Sequence, residues 1–177
     1  GSGGVLIPPV GWLKAIADAC KRLGILLMVD EVITGFGRTG PMFACDDEGV
    51  EPDLMTVAKG LTSGYPLSAC IGTSEVMESW GASQGESLHT STFLGHPVGC
   101  AAALAVLDLF DDGLLDRAIA LGNAMRRSLT ALTERHPAVL AGVRGRGAMC
   151  GLEFVDPSRA FPTCRRLLEA GDLVLPA

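Results

Sequence analysis

The fold is decided by two stretches of the sequence, ILLMVDE at residues 25–31 and LMTVAKG at residues 54–60. Each begins with five largely apolar residues and then reaches a charged residue, Asp30 in the first stretch and Lys59 in the second. Apolar runs of this length, bounded by Gly or Pro, are typical of strands in a parallel sheet that is covered on both faces. Parallel strands end at the same edge of a sheet, where open α/β sheets bind their ligands. The two stretches therefore predict that Asp30 and Lys59 lie at a common ligand-binding edge.

The rest of the chain alternates between helical and strand patterns. Up to about Phe110, the sequence predicts helices at 11–24, 74–80 and 97–110, a short helix within 43–48, and a third strand at 67–72. Beyond Gly113, it predicts a helix at 115–136, a strand pair or one bent strand at 143–154, a helix at 162–170 and the start of a strand at 173–175. This order indicates α/β architecture followed by a smaller α+β unit.

Composition excludes several classes of function. The 177 residues carry a formal charge of −6, and their Lys and Arg residues are scattered, so no nucleic-acid partner is expected. No uncharged run is long and apolar enough to predict a transmembrane helix, so no membrane partner is expected either. The six cysteines form no C-x-x-C pair and are expected to be reduced, mostly buried thiols of a cytoplasmic protein.

Two polar, Gly-punctuated segments, 34–52 and 81–97, are predicted to be loops that serve the site. The first contains Gly35 to Gly40, which matches the dinucleotide-binding pattern G-x-G-x-x-G. That pattern needs its glycines in a tight turn directly between a strand and a helix. Here residues 30–34 separate the apolar run from the first glycine, so nicotinamide or flavin binding is not favoured.

The second loop carries His89 and His96, whose separation is not that of a metal site. Hydrogen-bonding roles are favoured for both. Ser91, in the same loop, has no G-x-S-x-G elbow around it, so a hydrolase triad has little support.

Taken alone, each of the two residues Asp30 and Lys59 has an ordinary interpretation. Asp30 could be a capping or salt-bridge carboxylate, and Lys59 could be a solvated amine. A lysine at the end of an apolar strand is expected in a low dielectric, which favours the neutral, nucleophilic amine and allows imine formation. Together the two residues suit pyridoxal 5'-phosphate, because a lysine can hold its aldehyde and a carboxylate can keep its pyridine nitrogen protonated. Val32 could then pack on a ring face, and Thr92 could donate to a phosphate oxygen.

These residues stand in a series of motifs that resembles the class III pyridoxal-phosphate-dependent aminotransferases, which include acetylornithine, ornithine and 4-aminobutyrate aminotransferases. The resemblance spans Gly1 to about Phe154 and rests on DEVITGFGRTG at 30–40, EPD at 51–53, AKG at 58–60, and STF and GHP at 91–97 before an Ala-rich helix. It implies fold type I, with a partial large domain of mostly parallel sheet at 1–110, and a linker helix and partial small α+β domain at 111–177.

The resemblance also implies roles for individual residues. Lys59 would be the catalytic Schiff-base lysine, Asp30 would hold the pyridinium nitrogen, Val32 would contact the ring, and Thr92 would reach the phosphate of the neighbouring subunit's cofactor in a homodimer. The chain departs from the family pattern at Ile33, where many members carry a Gln that hydrogen-bonds the cofactor's ring oxygen.

By the same resemblance, the family's N-terminal half, with its phosphate-binding loop, and its C-terminal substrate-binding arginine lie outside this sequence. The chain is therefore expected to be a C-terminal-half fragment that is inactive in isolation. The expected activity of the complete protein is transamination between an amine or ω-amino acid and a 2-oxo acid. Two alternatives stay open from the sequence: a decarboxylase, racemase or aminomutase of the same fold, and an inactive remnant.

Overall fold

The computed structural model describes residues 3–176, in which helices and strands alternate along most of the chain. The helices are α1 (Trp12–Leu23), α2 (Ser74–Glu78), α3 (Pro97–Asp111), α4 (Leu114–Arg135) and α5 (Ala160–Glu169). The strands are β1 (Met28–Asp30), β2 (Leu54–Val57), β3 (Ala69–Gly72), β4 (Leu140–Arg146) and β5 (Met149–Phe154). Short 3-10 helices lie at Ala44–Glu48, Lys59–Leu61 and Pro157–Arg159.

Helix boundaries follow the local signals in the sequence. Helix α1 ends at Gly24, whose left-handed conformation (φ 65°) allows its N–H to bond the last carbonyls of the helix. Thr73 caps α2, because its hydroxyl accepts a hydrogen bond from the Val76 N–H at 3.4 Å. Pro97 occupies the first turn of α3, where its missing N–H costs nothing. Among the described helices, none combines the length and apolar content needed to cross a bilayer.

The first three strands form one sheet in the order β1-β2-β3. Strands β1 and β2 are parallel, with Asp30 opposite Thr56, so the prediction that both strands end at the same edge is confirmed. Strand β3 runs antiparallel to β2. The connecting segment 58–68 holds only a 3-10 turn and is too short for the crossover that a parallel pairing requires. Within residues 3–176 this sheet is therefore mixed rather than wholly parallel.

The register of β1 against β2 is fixed by Asp53, the residue before β2. One carboxylate oxygen of Asp53 accepts a hydrogen bond from the Leu27 N–H at 2.7 Å. The Leu27 carbonyl in turn accepts from the N–H groups of Asp53 and Leu54, at 3.0 and 3.1 Å. These bonds align the two strands before the ladder begins, and they determine that Asp30 and Thr56 end up side by side.

The expectation that both faces of the sheet are covered is wrong for the described chain. Val57 of β2 is buried, but Met28 of β1 and Ile71 of β3 are 57% and 53% exposed. Whether a strand residue is exposed depends on which neighbouring elements pack over the sheet. A run of apolar residues does not reveal whether those elements are present.

The later part of the chain is built on the 22-residue helix α4, which packs against the antiparallel β4–β5 hairpin. The strand-pair interpretation of residues 143–154 is confirmed, although β4 begins earlier, at Leu140. The strand start predicted at 173–175 is wrong: the segment lies outside regular structure, with Leu173 and Leu175 exposed. The Asp172 N–H bonds the Leu167 carbonyl at the end of α5, and no described strand pairs with the residues beyond it.

Candidate active site

Asp30 is the last residue of β1, and its carboxylate is held in place at the sheet edge. The Oδ1 atom accepts hydrogen bonds from the Val32 N–H at 2.9 Å and from Thr56 Oγ1 at 3.2 Å. Among residues 3–176, no hydrogen-bond donor reaches Oδ2. Because the side chain is exposed, the carboxylate is both oriented by the protein and accessible to an N–H group of a ligand.

Lys59 follows β2 by two residues and opens the 3-10 turn Lys59–Leu61. Its side chain is exposed, and it forms no ion pair with any described residue. The expected low-dielectric surrounding is therefore not observed, because the end of the strand is not covered as the sequence pattern suggested. The structure instead presents an accessible amine at the same edge as Asp30.

Gly60 is required next to this lysine because the backbone meets an aromatic side chain there. A Cβ atom at Gly60 would lie 2.6 Å from the Cβ of Phe36, a distance that real Cβ contacts do not reach. Phe36 belongs to the Gly35 to Gly40 loop, and its ring packs against Phe43 and Phe110. The glycine therefore brings that loop directly against the turn that carries Lys59.

An open cleft of about 500 Å³ lies beside Lys59. Its lining includes Ala58, Lys59, segment 63–67 and Arg38 of the Gly35 to Gly40 loop. The Tyr65 hydroxyl lies 3.4 Å from His96 Nδ1, in agreement with the prediction of a hydrogen-bonding role for this histidine. Since His96 directly precedes α3, this contact ties one wall of the cleft to the start of that helix.

The structure brings three of the four predicted cofactor residues to one sheet edge. Val32 is half-buried in the turn after Asp30, and its N–H orients the Asp30 carboxylate. Ile33 is half-buried beside it. Thr92 is exposed in the segment before α3, and within residues 3–176 no hydrogen bond links it to Asp30, Val32 or Lys59. The assigned roles of all four residues stay predictions.

Glu31, the neighbour of Asp30, shapes the loop from the opposite side. Its side chain is buried at 3% exposure. The carboxylate accepts a hydrogen bond from the Cys45 N–H at 3.0 Å and another from the Thr34 hydroxyl. A buried carboxylate must be satisfied by such donors. Glu31 therefore fixes both ends of the 34–45 segment, whereas the adjacent Asp30 is left for the ligand edge.

Burial also sets the Cys45 thiol apart from the other cysteines. Desolvation, followed by the negative charge of Glu31, raises the pKa of Cys45 to about 12 from 9.0. The expectation of mostly buried thiols is otherwise wrong, because Cys70 and Cys100 are exposed and only Cys45 is buried.

We expect iodoacetamide to alkylate Cys45 at least about a hundredfold more slowly than Cys70 at mildly alkaline pH, since the thiolate is the nucleophile. Peptide mass spectrometry after timed labelling measures both rates in one sample. The raised pKa means that the folded state holds the thiol proton more tightly, so stability should fall as the pH rises from about 9 towards 12. Equal labelling rates in the folded chain would contradict the burial of Cys45.

Two glycines, Gly122 of α4 and Gly147 of the β4–β5 turn, form what we call the glycine junction. A Cβ atom at Gly122 would lie 2.3 Å from the Gly147 carbonyl carbon, and one at Gly147 would lie 2.5 Å from the backbone carbon of Thr39. The Met149 N–H also donates to the Arg38 carbonyl at 3.2 Å. The junction thus clamps the Arg38 to Gly40 backbone against the hairpin and α4.

Sequence reasoning missed three residues at this edge. Thr56 is the one hydroxyl residue in the run LMTVA, and aligning that run with ILLMV would have placed it next to Asp30. Glu31 could also have been identified from the sequence. Neighbouring residues along a strand face opposite sides, so Glu31 would be expected to point away from the edge that Asp30 serves. The position of Arg38 in the cleft depends on the long-range clamp at Gly147, which no local pattern reports.

Comparison with known proteins agrees with this geometry. The family model described as aminotransferase class-III matches residues 1–177. The chain is 40% identical, over 99% of its length, to the mitochondrial ornithine aminotransferase of Oryza sativa subsp. japonica, and covers 38% of that protein. It is 46% identical, over 89% of its length, to the acetylornithine aminotransferase of Mycobacterium bovis, and again covers 38% of that protein.

Solved structures show the same relationship. An acetylornithine aminotransferase from Elizabethkingia anophelis superposes with a TM-score of 0.89 at 38% identity, covering 100% of this chain and 44% of its own. A thermostable (S)-enantioselective omega-transaminase from Thermomicrobium roseum gives 0.87 at 38% identity, covering 100% of this chain and 42% of its own. The chain spans less than half the length of these relatives and has the α/β fold of part of a pyridoxal-phosphate-dependent aminotransferase. It belongs to the class III aminotransferases.

Proposed function

We propose that the complete protein containing this chain transfers an amino group from an amine or ω-amino acid to a 2-oxo acid, using pyridoxal 5'-phosphate. The observation that supports this most directly is the common edge of β1 and β2, which carries an oriented carboxylate (Asp30) and an accessible amine (Lys59), the amine lining a cleft of about 500 Å³. An amine and a carboxylate are the two protein groups that this cofactor chemistry requires.

The residues present fit the cofactor. The exposed Lys59 Nζ can bind its aldehyde covalently, and the Oδ2 atom of Asp30, which no described donor reaches, can accept the N–H of its pyridinium ring. Val32 lies next to Asp30, where its side chain can pack on the ring. When bound, pyridoxal phosphate withdraws electrons from the carbon that carries the amino group.

The chain's own residues then have distinct tasks. Lys59 would be the general acid and base, because its Nζ would accept the proton from the amino-bearing carbon of the substrate and would deliver that proton again later in the reaction. Asp30 would accept the hydrogen bond of the ring N–H, while Thr56 and the Val32 N–H hold the carboxylate in position. At Ile33 the chain lacks the amide that would hydrogen-bond the ring oxygen.

The assembly and its location are further parts of the proposal. Residues 1–110 would belong to the cofactor-binding large domain, and residues 111–177 to the linker helix and small domain. Thr92, exposed in the segment before α3, would reach the phosphate of a cofactor bound by the second subunit of a homodimer. A cytoplasmic location is inferred from the acidic composition and the cysteine usage.

The test is an amino-transfer assay on the complete protein with pyridoxal phosphate. A set of primary amines and ω-amino acids would be offered together with pyruvate or 2-oxoglutarate, and the formation of alanine or glutamate would be measured by chromatography. We expect a new amino acid to accumulate with at least one donor. Release of carbon dioxide or inversion of the donor, without a new amino acid, would contradict transamination and point to another reaction of the same fold.

A further inference from the structure

Arg38 shares the cleft with Lys59 although the proposed mechanism gives it no task. Both residues line the same space, together with Ser63, and none of the lining residues is acidic. Neither Arg38 nor Lys59 forms an ion pair with any residue of 3–176. The cleft therefore presents two cationic side chains and the hydroxyls of Ser63 and Tyr65 without a compensating negative charge from its walls.

The backbone of Arg38 is held firmly while its side chain is not used in the fold. The Arg38 carbonyl accepts a hydrogen bond from the Met149 N–H at 3.2 Å, and it lies against Gly147 of the glycine junction. The guanidinium makes no hydrogen bond to the described protein, and the residue is exposed. The backbone of Arg38 is fixed by contacts, whereas its guanidinium has no hydrogen-bond partner among the described residues. This combination suits a residue that binds a ligand rather than one that stabilises the fold.

Electrostatics identify the kind of ligand. Two cations that line one cleft repel each other, and a bound anion removes that repulsion. The planar guanidinium donates two parallel hydrogen bonds to a carboxylate or phosphate, which makes arginine the preferred partner of these oxyanions. A neutral or cationic ligand would leave both charges uncompensated.

We propose that Arg38 binds an oxyanion, a carboxylate or phosphate group of the molecule that reacts at Lys59. The inference rests on the proposed function in taking Lys59 as the reacting amine. The oxyanion has two possible sources, the carboxylate of an amino-acid or 2-oxo-acid substrate and the phosphate of the cofactor. In the first case the substrate class is acids rather than simple amines, and in the second Arg38 helps to hold the cofactor beside Lys59.

The test compares the complete wild-type protein with its Arg38→Gln and Arg38→Lys variants and with the control Arg127→Gln, which removes an exposed arginine of α4 that forms no described ion pair. Three probes are used: pyridoxal phosphate, pyridoxal and glutarate. Adducts of the two aldehydes are trapped with borohydride and quantified by mass spectrometry, whereas glutarate binding is measured by calorimetry. Circular dichroism checks that each variant is folded, and Arg38→Lys keeps the charge should Arg38→Gln unfold.

If the oxyanion is the phosphate, Arg38→Gln should raise the apparent Kd for pyridoxal phosphate about tenfold to a hundredfold and leave pyridoxal unchanged. If it is a carboxylate, both aldehydes should be unaffected and glutarate should bind about tenfold to a hundredfold more weakly. Arg38→Lys should fall between wild type and Arg38→Gln in either case, because it keeps the charge but loses the paired donors.

The inference is overturned if Arg38→Gln changes the binding of no probe, changes all three equally, or behaves like Arg127→Gln, or if the complete wild-type protein binds none of the probes. The two proposals can fail separately. Adducts on Lys14 or Lys21 instead of Lys59 would contradict the proposed function, while the glutarate titration still decides the role of Arg38. A Lys59 adduct that is indifferent to Arg38→Gln would leave the proposed function standing and remove the oxyanion site.

Discussion

Replacing Lys59 with arginine is expected to slow amino transfer by the complete protein at least about 10²- to 10⁴-fold, the usual contribution of a positioned general acid and base. Arginine keeps the positive charge and the length of the side chain but cannot lose its proton, so it can neither attack an aldehyde nor accept a proton from the substrate carbon. The measurement is the initial rate of amino-acid formation with saturating pyridoxal phosphate.

Lys21→Arg is the matched control for this substitution, because Lys21 is an exposed lysine in the last turn of α1. It should retain the wild-type rate. A Lys59→Arg protein that kept more than about a tenth of the wild-type rate would show that another group moves the proton.

Gly147→Ala is expected to destabilise the chain by about 3 kcal/mol, which combines the left-handed backbone with overpacking. Gly147 has a φ of +55°, and its added Cβ would meet the Thr39 carbon at 2.5 Å and the Gly40 nitrogen at 2.6 Å. These are backbone atoms, so they cannot rotate away as a flexible side chain could. The loop that carries Arg38 would have to shift, and urea denaturation would measure the loss of stability.

Gly24→Ala separates the two contributions. Gly24 has nearly the same left-handed conformation (φ +65°), but an added Cβ there meets nothing within 4 Å. We expect this variant to lose only about 1 kcal/mol, the cost of the backbone conformation alone. Equal losses for Gly24→Ala and Gly147→Ala would mean that the contact at the glycine junction is not tight.

The sheet edge could be predicted from the sequence because its causes are local. ILLMV and LMTVA are strand-forming runs, and each is followed at once by the polar residue that ends it. Once both strands are assigned to a parallel pair, Asp30 and Lys59 must end at the same edge. The motifs at 30–40, 58–60 and 91–97 led to the aminotransferase family by resemblance, and the comparisons confirmed it.

Other features depended on contacts between distant segments. The hydrophobic pattern does not show which other segments lie next to a residue. The exposure of Met28 and the absence of strand pairing at 173–175 both depend on such neighbouring segments. The direction of β3 follows from the short connection before it, which the prediction did not consider. Arg38 reaches the cleft through the contact at Gly147, and the sequence predicted a loop that serves the site without assigning a role to Arg38.

The most direct test of the account is to locate where pyridoxal phosphate attaches to the chain. The sequence contains three lysines, Lys14, Lys21 and Lys59, so the two on α1 serve as internal controls. The complete protein would be incubated with limiting pyridoxal phosphate, reduced with borohydride, digested and mapped by mass spectrometry, and labelling would be compared among these three lysines. We expect the modification on Lys59, with Lys14 and Lys21 at background level. Equal labelling of the three lysines, or labelling of Lys14 or Lys21 in preference to Lys59, would contradict the assignment of the β1–β2 edge as the cofactor site.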